Sequence, residues 1–204
     1  APGVITDSQV MLAFAFLLYG VALDGIVARS EGALLLLLYF AYVVWLFRRP
    51  AEDTAESESE GSLFRLSLGV AGLLIGAHLT IEGAISLAVG AGIPELVVGL
   101  TVVAVGTSLP ELAGSLTAAR KGFHDIAVAN VIGSNIANIG LVMGVLALVS
   151  PVPVGGYVIA QTLPLLLLAT IAAMGLVRLP MGRVAGAILA GFFLLFLFEL
   201  LQTL

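Results

Sequence analysis

Thr107, Ser108 and Glu111 lie in one short run, Gly106-Thr-Ser-Leu-Pro-Glu111, inside an apolar stretch from Leu96 to Ala119. On a helix, Thr107 and Glu111 are four apart and share a face, and Ser108 flanks Glu111. Pro110 has no N–H to donate and clashes with the carbonyl one turn back. That frees carbonyls around Gly106, notably those of Ala104 and Val105. One carboxylate, two hydroxyls and loose carbonyls are all hard oxygen donors, the kind taken by calcium and other hard cations. Neither His nor Cys stands among them, which disfavours zinc and copper. A carboxylate in an apolar span marks by default an ion or substrate path. The plain alternative for Glu111 is a protonated carboxyl bonded to a neighbouring helix.

A second polar group sits in the next apolar stretch. Asn130, Ser134 and Asn138 recur every four residues and form one stripe about two turns long, with Asn135 beside it. Gly133, Ala137, Gly140 and Gly144 provide the small-residue spacing that lets helices approach closely. The stripe can then press against Glu111. Ser134 and Asn138 are expected as ligands, their neutral oxygens adding coordination without charge. Asn130 is expected to bond a neighbouring helix, which such residues often do for a modest gain.

Other polar residues are assigned quieter roles. His78 and Glu82, four apart, are read as a mutual hydrogen bond near the outer membrane surface, with a proton relay or part of an ion entry path as the alternatives. Asp24 and Glu31 are read as interfacial neighbours of Arg29. Glu95 follows Pro94 at a helix start, where an acid suits the helix dipole.

The elements that must position these groups are membrane helices. The chain is 60% hydrophobic and 10% charged, against about a quarter charged in an ordinary soluble domain, and its mean hydropathy is +1.17. Its apolar runs reach the length of about 20 residues that spans a bilayer as helix. The alternating segments of about 10 residues that build a membrane β-barrel are not seen. The expected class is all-α: a polytopic helical membrane protein with about seven spans, near 8–26, 31–48, 64–90, 94–119, 124–149, 156–177 and 184–203. With no cysteine there is no thiol chemistry. Eight Lys and Arg without a basic stripe make nucleic-acid binding an unsuitable function.

One connector is long. Residues 50–62 carry Glu52, Asp53, Glu56, Glu58 and Glu60 among Ser and Ala, so a solvated acidic linker is expected. Arg48, Arg49, Arg65, Arg120, Lys121, Arg178 and Arg183 fall on one side of the expected membrane and Arg29 alone on the other. The positive-inside bias makes the 50–62 linker and the N-terminal end cytoplasmic and puts the C-terminus outside. A short internal repeat is also present: Arg29-Ser-Glu-Gly32-Ala-Leu-Leu and Arg183-Val-Ala-Gly186-Ala-Ile-Leu each lead a span. It divides the chain into residues 1–49, the closing two helices of a first repeat, and residues 63–204, a five-helix second repeat. Five spans per repeat would set the two repeats inverted in the membrane, a common transporter plan with its site at the midplane. The start at Ala1-Pro2-Gly3 is read as a cut end.

The run Gly99-Leu-Thr-Val-Val-Ala-Val-Gly-Thr-Ser-Leu-Pro-Glu-Leu112, followed by Asn130-Val-Ile-Gly-Ser-Asn-Ile-Ala-Asn138-Ile, resembles the α-repeat of the sodium/calcium exchanger family of cation/calcium antiporters, at about 99–140. The resemblance implies a ten-helix inverted-repeat exchanger that moves calcium against sodium, of which this chain supplies the fourth to tenth helices. It implies Thr107, Ser108, Glu111 and the Ala104 carbonyl as ligands on one helix, and Ser134 and Asn138 on the next. The chain departs from the family at Asn138, where second repeats often have Asp, and at Ala137, where Phe is usual. Asn138 leaves the site one carboxylate short and bears on stoichiometry and sodium dependence.

A doubly charged ion stripped of water needs compensating charge nearby. Glu111 supplies one negative charge, so a second is expected from a missing first α-repeat or from a second copy of the chain. Calcium and sodium are cargo, no cofactor is implied, and no covalent chemistry is expected. The rival readings are a proton/calcium exchanger, with Glu111 titrating and His78 assisting, and a non-transporting membrane scaffold.

Overall fold

The computed structural model describes residues 2–49, 63–92, 104–177 and 183–202. Helix α1 (Pro2–Ala22) leads through a two-residue strand, β1 (Ile26–Val27), into α2 (Arg29–Arg48), and α3 (Leu63–Gly90) follows. Next come a single turn, α4 (Ala104–Thr107), and α5 (Leu109–Arg120). Helix α6 (His124–Ala137) continues through a π-helical stretch, Asn138–Met143, into α7 (Gly144–Val149). Strand β2 (Val152–Pro153), a second π-helical stretch (Val158–Thr162), α8 (Leu163–Val177) and α9 (Arg183–Gln202) complete the described chain.

Among the described residues the protein is mainly helical and apolar, as the sequence predicts. Among the described residues, Gly3–Ala22, Arg29–Arg48, Leu63–Gly90, His124–Val149 and Val158–Val177 are helices long and apolar enough to cross a membrane. The expected span 94–119 is described from residue 104 onward, and the 50–62 linker and Glu95 lie outside the described residues. The two copies of the short repeat each open a 20-residue helix, at Arg29 and at Arg183. Helix α1 begins at Pro2 and ends at Ala22, some residues ahead of the sequence expectation. Proline suits a first helical position, and Gly25, at φ +88°, turns the chain into β1.

The chain forms two compact units, one of residues 1–50 with 128–204 and one of residues 51–127. In the first, α1 packs along α8, α2 packs along α7 and the first π-helical stretch, and α9 lies on α8. Met11, Phe14, Ala15 and Leu18 of α1, Leu35 of α2, Ile136 of α6 and Leu163 and Leu167 of α8 share its buried core. Helices α2 and α7 meet through glycine. A Cβ on Gly32 would come within 2.7 Å of Leu148 N and 2.8 Å of Gly144 O. Strands β1 and β2 pair antiparallel, Ile26 opposite Pro153 and Val27 opposite Val152, and join the end of α1 to the end of α7. Arg29 Nη2 donates to Val149 O (3.3 Å), capping α7, and Glu31 Oε2 accepts from Ala28 N (2.7 Å), capping α2.

In the second unit, α3 packs on α4 and α5. Gly106 is the point of closest approach, because a Cβ there would overlap Ile81 Cγ1. Large apolar side chains such as Leu37, Phe47, Phe64 and Leu87 are exposed. Against lipid tails, as apolar as leucine itself, that exposure carries no penalty.

Candidate cation site

The first group of predicted ligands lies at a break in a helix. Helices α4 and α5 meet at Ser108, whose φ of −90° and ψ of −1° fall in the sparsely populated bridge region where active-site residues often sit. A new helix starts there, with Leu112 N donating to Ser108 O at 3.0 Å. Pro110 is tolerated because it falls in the first turn of α5, where its missing N–H has no helical partner to lose. The same proline withdraws the donor that would have served the Gly106 carbonyl. In a single turn such as α4, the carbonyls from Val105 onward belong to the terminal set that lacks intrahelical donors.

Glu111 stands in the first turn of α5, at the helix end that favours a negative charge. It is half-buried and its Oε2 oxygen is shielded from solvent. Thr107 and Ser108 are exposed on the residues just before it. Ser115, one turn further on, donates to Ala127 O (3.3 Å) and ties α5 to the start of α6.

The second group lies on α6 and its extension. Ser134 Oγ donates to Val131 O (3.0 Å) and Asn135 Nδ2 to the same carbonyl (2.8 Å). With its proton directed back along the helix, the Ser134 hydroxyl keeps lone pairs to offer a cation. Asn138 is exposed and is the first residue of the π-helical stretch Asn138–Met143. Such turns insert one extra residue into a helix and recur at functional sites. The second π-helical stretch has a covalent cause. Pro164 lacks the N–H that would reach Ala160 O, and Leu163 N reaches back five residues to Val158 O.

The structure therefore gathers Thr107, Ser108, Glu111 and the Ala104 backbone at one helix break. It places Ser134 and Asn138 on consecutive turns of a second helix, in the other unit. Among the described residues no three His, Cys, Asp or Glu side chains form a metal-binding group. His78 and Glu82 are both exposed on α3.

One charged cluster went unread in the sequence. Asp7, on α1, lies with Arg49 Nη1 3.4 Å from both of its carboxylate oxygens and with Tyr42 beside it. The Arg49 guanidinium also covers the Trp45 ring, 4.4 Å from its centroid. The only sequence signal was an Asp near the start of an apolar run, and its partners lie more than 30 residues away. This cluster joins the start of α1 to the end of α2.

Comparison with known proteins points in one direction. The family described as sodium/calcium exchanger protein matches residues 61–202. Inner membrane protein YrbG of Escherichia coli is 35% identical over 210 residues, covering 94% of this chain and 65% of its own length. An uncharacterised membrane protein of Methanocaldococcus jannaschii is 32% identical over 150 residues, covering 71% of this chain and 49% of its own. Sodium/calcium exchanger MaX1 of Methanosarcina acetivorans is 36% identical over 105 residues, covering 52% of this chain and 30% of its own. A solved structure of the sodium-calcium exchanger NCX_Mj, soaked with Na+ and Sr2+, superposes with a TM-score of 0.80 at 30% identity, covering 94% of this chain and 64% of that one. The chain spans less than two thirds of the length of each of these relatives.

Proposed function

The chain belongs to the sodium/calcium exchanger protein family, and we propose that it supplies half of the ion site of an antiporter that exchanges calcium for sodium by alternating access. The donors are the Ala104 carbonyl, Thr107, Ser108 and Glu111 from the α4–α5 break, with Ser134 and Asn138 from the α6 extension. Glu111 carries the single negative charge of this half. A second charge comes from a first α-repeat or from another copy of the chain, because one carboxylate does not balance a desolvated divalent ion. Sodium and calcium compete for the same oxygens, so the site empties of one ion as it accepts the other, and that competition is the coupling. The 50–62 linker lies on the cytoplasmic side and the C-terminus outside, in keeping with the distribution of arginines.

One observation carries this reading. Regular helical hydrogen bonding is interrupted at both predicted ligand groups, at Ser108 by a break and at Asn138 by a π-turn. Interrupted helices are how transporters present backbone and side-chain oxygens at membrane depth. A scaffold that only assembles helices has no use for either interruption.

The test is Glu111→Gln in the full natural chain, reconstituted in vesicles. Loss of sodium-dependent calcium uptake with folding retained is the expected result, and unchanged uptake would remove Glu111 from the site. Vesicles without sodium, driven by a pH gradient, separate proton coupling from sodium coupling. Calcium uptake there would replace the sodium reading with the proton one.

A further inference from the structure

We propose that Phe14 of α1 and Tyr39 of α2 are positioning residues for Asn138, acting through Gly140. This inference rests on the reading of Asn138 as an ion ligand. Gly140 is buried, two residues beyond Asn138 in the π-helical stretch. A Cβ on Gly140 would lie 2.8 Å from Phe14 Cε1, 2.8 Å from Tyr39 Cβ and 3.1 Å from Tyr39 Cδ2. The two aromatic residues therefore occupy the space a side chain would fill. One turn further on, Gly144 is seated in the same way, with Leu36 Cγ 2.9 Å and Gly32 O 3.1 Å from a Cβ placed there. Phe14 is 5% exposed and part of the main core, so this seat does not face lipid.

The seat matters because nothing covalent holds the π-turn in place. No proline occurs between Gly133 and Val149, so every backbone donor is present and an unbroken α-helix is open to the sequence. An α-helix advances about 100° per residue. Removing the extra residue would rotate Asn138 by about that much relative to the glycine seam held by α1 and α2. Phe14 and Tyr39 fix Gly140, Leu36 and Gly32 fix Gly144, and the direction of the Asn138 amide follows from where the bulge is pinned. Overfilling the seat turns the ligand without touching it.

The test uses the full natural chain in proteoliposomes and reads the half-saturation for calcium and for sodium alongside the maximal rate. Gly140→Ala is expected to shift calcium half-saturation by about 5-fold or more, the lower end of what overpacking transmits to a coupled site. Phe14→Leu, which empties the seat without adding volume, is the second variant and is expected to shift it too. Leu167→Ala, a core truncation on α8, is expected to lower thermal stability and leave half-saturation unchanged. In an Asn138→Ala background, Gly140→Ala is expected to add no further shift, because its effect passes through the residue already removed. A Gly140→Ala effect no larger than that of Leu167→Ala, or one that adds in full to Asn138→Ala, overturns the positioning role alone. An Asn138→Ala protein with parental half-saturation overturns the ligand reading, and this inference with it.

Discussion

Gly32→Ala is expected to destabilise the protein although alanine is the better helix former. The methyl group would meet Leu148 N at 2.7 Å, Gly144 O at 2.8 Å and Ala147 Cβ at 2.9 Å. Two of these are backbone atoms and the third is fixed to its own backbone, so no side-chain rotation relieves the overlap and α2 must move off α7. Overpacking of this kind costs about 1–3 kcal/mol, and the upper end applies where nothing can give. Gly32 is the fourth residue of α2, and replacing a helical glycine returns at most about 1 kcal/mol of backbone entropy. The net loss is then about 2 kcal/mol, a fall in Tm of about 4–8 °C for a chain of this size. Gly175→Ala is the matched control, since a Cβ there meets nothing within 4 Å. It lies inside α8 and is expected to raise Tm by about 2–4 °C. Both are read by thermal unfolding in one detergent at one scan rate, because midpoints of irreversible unfolding depend on the rate. If Gly32→Ala melts at or above the parent, or if the two variants move together, the close crossing of α2 and α7 is not a feature of the folded protein.

Two further outcomes are expected. Calcium at about 100 times its Kd is expected to stabilise the full natural chain by about 2.7 kcal/mol, and Glu111→Gln is expected to remove that stabilisation; a parent that gains no Tm from either calcium or sodium supports the scaffold reading instead. Arg49→Gln is expected to lower Tm more than Asp7→Asn. The first leaves a mostly buried carboxylate without its cation, whereas the second leaves Arg49 on the Trp45 ring; the reverse order in thermal unfolding would show that Asp7 joins the two helix ends through Tyr42 rather than through Arg49.

Much of this was legible from local chemistry. The break at Ser108 follows from Gly106 and Pro110, because a missing N–H is written in the sequence. The apolar runs marked the five described helices long and apolar enough to cross a membrane, because hydropathy acts residue by residue. The π-turn at Asn138 was not legible. Asn130, Ser134 and Asn138 recur every four residues, a spacing that fits an ordinary helix, and no proline marks the inserted residue. The partners that Gly140 packs against, Phe14 and Tyr39, lie more than 100 residues away along the chain. The pairing of Asp7 with Arg49 was hidden for the same reason, since it exists only once α1 and α2 lie side by side. The short β1–β2 ladder is likewise a consequence of α1 and α7 ending close together.

The two interruptions differ in what maintains them, and that difference has a mechanical consequence. At the α4–α5 break, Pro110 cannot donate in any conformation, so the freed carbonyl survives whatever the neighbouring helices do. At Asn138 all donors remain, and the choice between π-turn and α-helix is decided by packing against α1 and α2. If both groups hold the ion as proposed, one half of the ligand set is fixed covalently and the other by packing, and helix movement would act on the second half. The proposed alternating access would use that asymmetry. On that proposal Glu111, beside a proline that cannot donate, would stay, and Asn138, on a bulge packed against α1 and α2, would leave. Substitutions in the Gly140 seat should therefore alter ion affinity through Asn138 while leaving the requirement for Glu111 intact. Conversely, Pro110→Ala should blunt transport even with every packing contact of α6 preserved, and a Pro110→Ala exchanger with parental affinity and rate would refute this division of labour.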